Sequence, residues 1–453
     1  MSSSTRQAPP VMQEEDLLNL LHDDMVIYIN GGTGLPNRFF ELLSKNAHRF
    51  KNIRFCHPMR REAQPMSPEI TAKELEGHIY HVSDFAYDKP VIDAVRDGRA
   101  TYRPVHPHLS GSNFPYDIDL IVTAAAPMDK HGFFSLGAFG GWIDDFLYKG
   151  KKLVLEVNPQ QPRLHGHCLV HARDVAATYE ADYPLVTIAM SGEVASEEEK
   201  AMGRHIAGVI EDGATIQVGA GKVPDAVIKQ LVNGGQQDLG VHSEALFDWV
   251  VELWDAGLIT NRKKTLHPGK IICCCAVGTR RLYDFMDDNP ALEMHPISYT
   301  NDVGIIQQNH KQVSINATIQ MDLFGQCASE TLGPRHYSGV GGQWAFHYGA
   351  SVAPGGIGIM TLPATAKNGT VSRINPLLPE GSVVTISRND IHYVCTEFGI
   401  ENLRGLTLAE RAVKLIGLAH PKFREELMRA ARDDLRLVPR HFHPAGSVVS
   451  AAE

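Results

Sequence analysis

Residues 215–231 read TIQVGAGKVPDAVIKQL, and residues 26–42 read VIYINGGTGLPNRFFEL. Each opens on an apolar run of strand length, turns through glycines and continues past a proline into an amphipathic helical pattern. Gly219 matches Gly31 and Pro224 matches Pro36, so one unit occurs twice. Other strand-length apolar runs are Met25–Asn30, Ile53–Cys56, Ile118–Ala124, Lys152–Asn158 and Lys270–Val277, and they alternate with helical patterns. That alternation predicts an α/β chain with mostly parallel, buried strands. The repeat predicts two similar open α/β domains with the functional cleft between them.

A chain of 453 residues allows for two domains or three. The polar stretch SGEVASEEEK, residues 191–200, places the division. The expected organisation is a disordered segment 1–12, domains at 13–192 and 193–438, and a flexible tail at 439–453. Thr407 and Glu410 form a capping box that opens a helix running to about Ala419, and Pro421 starts another. Apolar residues at 43% and charged residues at 21% exclude a disordered chain, a collagen and a coiled coil. A net charge of −9 disfavours nucleic acid and membrane surfaces as partners. Seven cysteines make no disulfide framework. Cys273, Cys274 and Cys275 alternate between the faces of a buried strand, so they cannot meet on one metal. With no apolar signal stretch in residues 1–16 and no membrane-length apolar run, a cytoplasmic location is expected.

Neither glycine turn matches a nucleotide motif. Asn37 stands where a dinucleotide fingerprint needs its third glycine, and Ile216 and Val223 break a P-loop reading of Gly221-Lys222. Such a turn still offers backbone N–H groups to an anion or an oxyanion. Further glycines cluster at 338–342 and 355–358. His165, His167 and His171 lack a carboxylate or cysteine at ligand spacing, so no metal is expected; His106 and His108 read as loop residues. In LGVHSEALFDWVVEL, residues 239–253, a short strand meets a candidate helix with apolar residues at Leu246, Val250, Leu253 and Trp254. Ser243 would cap that helix and Glu244 would stand at its first position. Glu244 is then either an acid complementing a helix start or a carboxylate nucleophile at a strand end.

Taken together, QVGAGKVPDAV (217–227), LGVHSEALFDWVVEL (239–253), SINATIQMDLFGQ (314–326), SGVGGQWAF (338–346) and TAKNGTVSRINPLLPEG (365–381) resemble the family I coenzyme A transferases of the acetyl-CoA hydrolase/transferase type. APMDKHGFFSLG (126–137) and EVNPQQPRLHG (156–166) extend the resemblance into the first half. The group includes 4-hydroxybutyrate, butyrate/acetate and itaconate CoA-transferases. The resemblance implies that Glu244 attacks an acyl-CoA thioester and becomes a glutamyl-CoA thioester in a ping-pong cycle. It implies oxyanion donors at Ala220, Asn316 and Gly342, and contacts to CoA from Gly219, Ala220, Gly221, Lys222, Val223, Ile319, Gly341, Gly342 and Lys367, with Arg373 a further candidate. Coenzyme A would be substrate and covalent intermediate, with no metal or redox cofactor, and the enzyme would be a homo-oligomer, dimer or tetramer.

Many relatives read GVGGQ-Val-Asp-Phe, whereas this chain reads Trp344, Ala345 and Phe346 after the shared GVGGQ. An acid is lost, and Arg335, His336 and His347 lie close by in sequence. The expected acyl pocket therefore comprises Trp344, Ala345, Arg335, His336 and His347, and the expected acceptor is a small dicarboxylate such as itaconate, with succinyl-CoA as donor. The alternatives are short monocarboxylates, an acyl-CoA hydrolase, and a non-catalytic CoA-binding regulator.

Overall fold

The computed structural model describes residues 8–57, 72–85, 89–188, 195–439 and 442. Seven parallel strands form the first sheet, in the order Ala177–Glu180, Leu153–Val157, Leu120–Ala125, Val26–Ile29, Ile53–His57, Ile79–Ser83 and Ala100–Tyr102. Parallel strands need cover on both faces, and Leu120–Ala125 is buried at every position. Helix Asn37–Asn46 supplies part of that cover, setting Phe39, Phe40 and Leu43 against a cluster with Ile27, Ile29 and Phe55.

The second sheet has the order Gly240–Val241, Thr215–Val218, Gln312–Ala317, Ile357–Thr361, Tyr393–Thr396 and Gly399–Asn402. All its pairs are parallel except the last, a hairpin. The repeat is present as strand, turn and helix: Val26–Ile29 leads to Asn37–Asn46, and Thr215–Val218 leads to Lys222–Gly234.

The halves are joined more closely than two lobes hinged at a linker. His165–Gly166 of the first half pairs in parallel with Leu292–Met294, which pairs with Ile271–Cys273. One apolar cluster holds Tyr28 and Phe146 together with Ile216, Leu231 and Leu253. The division expected at 192/193 falls within residues 189–194, outside the described residues. Just beyond it, a capping box between Ser196 and Glu199 opens helix Glu197–Ala207. That helix lies on the second half, where a Cβ at Gly203 would come 2.9 Å from Ala226 Cβ.

Three expectations are corrected. Residues 8–12 are not loose: Thr178 N–H donates to Pro10 O at 2.9 Å and Met12 N–H to Thr178 O at 2.7 Å, extending the sheet edge. Residues 1–7 lie outside the described residues. At the other end Phe442 still packs on the cluster of the C-terminal helices, while 440–441 and 443–453 lie outside the described residues. The run Lys270–Val277 is not one strand: it breaks at Cys274 into Ile271–Cys273 and Cys275–Ala276, which join different sheets. The cysteines are buried as expected. Helices Leu408–Leu418 and Pro421–Arg429 form where the capping box and proline place them. No described helix is long and apolar enough to cross a membrane.

Candidate active site

Strands Thr215–Val218 and Gln312–Ala317 run side by side, with Val218 opposite Ile315. Their carboxyl ends, the loop after Gly240–Val241 and the start of helix Gln343–Val352 meet around a pocket of about 110 Å³. Gly219, Glu244, Asn316 and Gly342 all line it, so four residues scattered through the second half converge. Phe247 and Phe346 give apolar walls, and Gln217 and Gln343 add amides. All these lining residues belong to the second half; the first half comes near beside them, where a Cβ at Gly341 would sit 2.8 Å from the Phe85 ring.

Glu244 does not begin a helix. Ala245–Leu246 pairs with Cys275–Ala276, and the helix starts only at Trp249, with Asp248 as its N-cap. The macrodipole argument therefore fails for Glu244, and Ser243 hydrogen-bonds Ala245 O instead of capping. Its backbone is held by the cysteine bend: Cys274 N–H donates to Glu244 O at 2.9 Å, Cys275 N–H at 3.2 Å, and the Cys274 thiol at 3.2 Å. Behind that bend, Gly141 N–H of the first half donates to Cys274 O at 3.0 Å.

The Glu244 carboxyl accepts a hydrogen bond from Asn301 Nδ2 at Oε2, and the Gly342 N–H supports it as well. Burial pushes its pKa up to about 7, and these two donors oppose the rise. The unfolded chain releases the same proton near the ordinary glutamate value of ~4.3. Between there and about 7 the folded state binds more protons than the unfolded one, so stability falls as pH rises. Glu244→Gln should therefore raise the melting temperature at pH 8 and leave it unchanged at pH 4. Thermal melts at the two pH values check this; an equal gain at both would exclude titration of Glu244 as the cause.

Asn301 stands in none of the motifs read from the sequence. It follows the short helix Ile297–Thr300, is fully buried, and is carried to Glu244 by that helix. Asn316 is at the pocket, but its Nδ2 donates to Ser314 Oγ at 2.8 Å and to Gln217 Oε1 at 3.1 Å. Its amide is thus engaged along the strand face.

Two family models match the chain, the acetyl-CoA hydrolase/transferase N-terminal domain over residues 5–188 and the C-terminal domain over residues 278–431. Succinyl-CoA:cyclohexane-1-carboxylate CoA transferase of Geobacter metallireducens is 39% identical, over 88% of this chain and 90% of that protein. 4-hydroxybutyrate coenzyme A transferase of Clostridium kluyveri is also 39% identical, over 92% and 96%. Among solved structures, RipA from Yersinia pestis superposes with a TM-score of 0.87 at 33% identity, covering 95% of this chain and 98% of that one. The chain belongs to the acetyl-CoA hydrolase/transferase family. It is a CoA-transferase enzyme.

The residues that the resemblance assigns to CoA in this CoA-transferase do not all stand at one place. Gly219 lines the pocket, Ala220 is exposed beside it, and Gly221, with φ +125, caps the helix that Lys222 opens. Val223 packs against the main core. Ile319 and Arg373 are tied together, with Arg373 Nη1 donating to Ile319 O at 3.0 Å and Nε to Thr365 O at 3.2 Å. Arg373 thus braces two loops. Lys367 lies in the hairpin turn between Thr365–Ala366 and Val371–Ser372, and it lines a different cleft, of about 750 Å³, beside Glu197–Glu199 and His420. Four carboxylates, Glu397 included, line that cleft and make it a poor phosphate site.

The expected acyl pocket is not assembled. None of Trp344, Ala345, Arg335, His336 and His347 lines the pocket at Glu244. Ala345 is buried against Phe346 and Ile306. His347 is a core histidine whose Nε2 accepts from His392 N–H at 3.1 Å, and burial drives its pKa down to about 3. Trp344 stacks on Tyr348 and donates to Asp390 Oδ2 at 3.2 Å. Arg335 and His336 pair with Leu332 and Thr331 in a separate hairpin, where Arg335 lies over Tyr337 and His336 against Tyr102. Sequence proximity had grouped them; helix phase and the hairpin separate them.

Proposed function

We propose that this enzyme moves CoA from an acyl-CoA to a small carboxylic acid through a thioester on Glu244. The observation that carries the reading is one half-buried carboxyl just before strand Ala245–Leu246, held by Asn301 and the Gly342 N–H in a pocket that Gly219 borders. Asn301 engages Oε2, which leaves Oε1 to attack the thioester carbon. The thiolate leaves, and an acyl-glutamyl anhydride forms. The thiolate then attacks the glutamyl carbonyl, releasing the first acid and leaving glutamyl-CoA. A second carboxylate attacks that thioester and expels the thiolate, giving a new acyl-glutamyl anhydride; the thiolate then attacks its acyl carbonyl, which forms the new acyl-CoA and frees the Glu244 carboxylate. Each tetrahedral oxyanion needs preorganised donors; the Ala220 N–H is the candidate with no rearrangement, and Asn316 serves once it releases Ser314. A carboxyl ionising near 7 is a desolvated and hence stronger nucleophile than one ionising near 4.

The acids bound are short and uncharged beyond the reacting carboxyl. Among the described lining residues there is no lysine, arginine or histidine, and the amide donors are engaged: Gln217 Nε2 donates to Asn316 Oδ1, Asn316 Nδ2 to Gln217 Oε1, and Gln343 Nε2 to Ala317 O. A second carboxylate would be buried without a partner, at a cost of several kcal/mol. The alternative is a dicarboxylate acceptor such as itaconate with succinyl-CoA as donor, and only the donor finds support in a relative, the Geobacter protein named for succinyl-CoA. An acceptor screen with acetyl-CoA, butyryl-CoA and succinyl-CoA as donors separates the readings. Acetate and butyrate should exceed itaconate and succinate by ~10²-fold in kcat/KM, the equivalent of ~3 kcal/mol. The reverse order assigns a dicarboxylate enzyme, and CoA release at full rate without acceptor assigns a hydrolase.

A further inference from the structure

We propose that His267, Glu293 and His295 form a binding site for a divalent cation of the zinc class, separate from the reacting carboxyl. The three residues come from three places: His267 from the loop after Asn261, Glu293 from strand Leu292–Met294, and His295 from the residue just past it. Two-residue spacing puts Glu293 and His295 on one face of the strand, while Leu292 and Met294 fill the core on the other.

Their ligand atoms meet. Glu293 Oε2 lies 3.2 Å from His295 Nε2 and 3.7 Å from His267 Nδ1, and one ligand atom from each falls within 4.8 Å of the others. Zinc bonds of ~2.0–2.2 Å at tetrahedral angles set two ligand atoms ~3.4 Å apart, so a small turn of either ring closes the set. Imidazole with carboxylate suits zinc, cobalt(II) and nickel(II), and disfavours calcium and magnesium. The surroundings are those of an oriented ligand. His267 Nε2 is 2.7 Å from Tyr299 OH, which fixes the ring with Nδ1 toward Glu293. Lys270 Nζ lies 3.5 Å from the other carboxylate oxygen, Oε1, and donates to Pro290 O. The Lys264 ammonium, the other cation near the cluster, is occupied by Val241 O and Lys270 O. Glu293 and His267 are partly exposed and His167, ring to ring with His295 at 5.0 Å, is exposed, so solvent reaches the cluster. By contrast, the trio singled out in the sequence is spread out: His165 pairs with Asp288, and His171 turns to Phe133 and the Arg173 N–H.

His295 is followed by Pro296 and helix Ile297–Thr300, which presents Tyr299 to His267 and then Asn301 to Glu244. A bound cation would pin the His267 loop to the helix that aims Asn301.

The test is calorimetric titration of zinc chloride into the chelator-treated full-length protein, with cobalt(II) absorption as a second readout. One equivalent should bind, with the d–d bands of a low-coordinate cobalt centre. His267→Ala and Glu293→Gln should each weaken binding by more than the ~10–100-fold that loss of a supporting residue such as Tyr299 costs. His171→Ala should bind as wild type. No saturable zinc binding, or binding undiminished in His267→Ala and Glu293→Gln, overturns the proposal. His267 sits in a partly exposed loop, so its variant gives the reading even if Glu293→Gln unfolds. Every readout is of the metal, so the result is independent of whether Glu244 carries the transfer.

Discussion

Glu244→Ala should lower transferase turnover by ~10³-fold or more, a loss of ~4 kcal/mol of transition-state stabilisation. Loss of a covalent nucleophile removes the route itself, because no other carboxylate lines the pocket among the described residues. The intermediate gives a second, independent readout. Wild-type protein incubated with acyl-CoA and no acceptor should hold CoA as a thioester, and borohydride should reduce it at the peptide carrying Glu244. The alanine variant should hold none. Retention of more than a few per cent of the wild-type rate, or a thioester on another residue, would falsify the assignment.

What the sequence disclosed and what it hid follow a physical line. Strand–turn–helix units such as 26–42 and 215–231 were legible because parallel strands buried on both faces must be nearly all apolar and their turns need glycine. Local interactions decide such units. The bend around Glu244 was not legible, because Leu246, Val250, Leu253 and Trp254 fit a helical period while Leu246 is in fact taken by pairing with Ala276. A tertiary partner thirty residues away overrode the local pattern.

The site divides in the same way. Gly219, Glu244, Asn316 and Gly342 stand in long motifs, and they converge. Asn301 has no motif; what makes it functional is only that helix Ile297–Thr300 ends beside Glu244. The acyl-pocket residues were misplaced because a helix turns ~100° per residue. Gly342, Gln343 and Phe346 reach the pocket, while Ala345 and His347 are spent on Ile306 and on strand Ile357–Thr361 with its neighbour His392.

Gly342→Ala should cost ~10²-fold in turnover, second only to Glu244→Ala, and yet fold normally. Gly342 is the N-cap of helix Gln343–Val352 with φ −80, a value alanine can adopt, so the backbone exacts little. The new methyl, however, would stand 2.0 Å from Glu244 Oε2 and 2.7 Å from Asn301 Nδ2. Contact that close cannot persist. The helix start cannot retreat easily, since Ala345 and Phe346 are buried against Ile306. The carboxyl must therefore swing off its donors, and a misplacement of ~1 Å in an attacking group costs ~10²-fold or more. Steady-state kinetics should show kcat down by ~10²-fold with KM for acyl-CoA changed much less, and the melting temperature within a few degrees of wild type. Gly341→Ala provides the contrast: there φ is +55 and the methyl meets the Phe85 ring of the first half at 2.8 Å. That variant should lose stability first, because the strain falls on backbone and on packing between the halves. Wild-type kcat in Gly342→Ala would show that Glu244 does not react from the position in which Asn301 and the Gly342 N–H hold it.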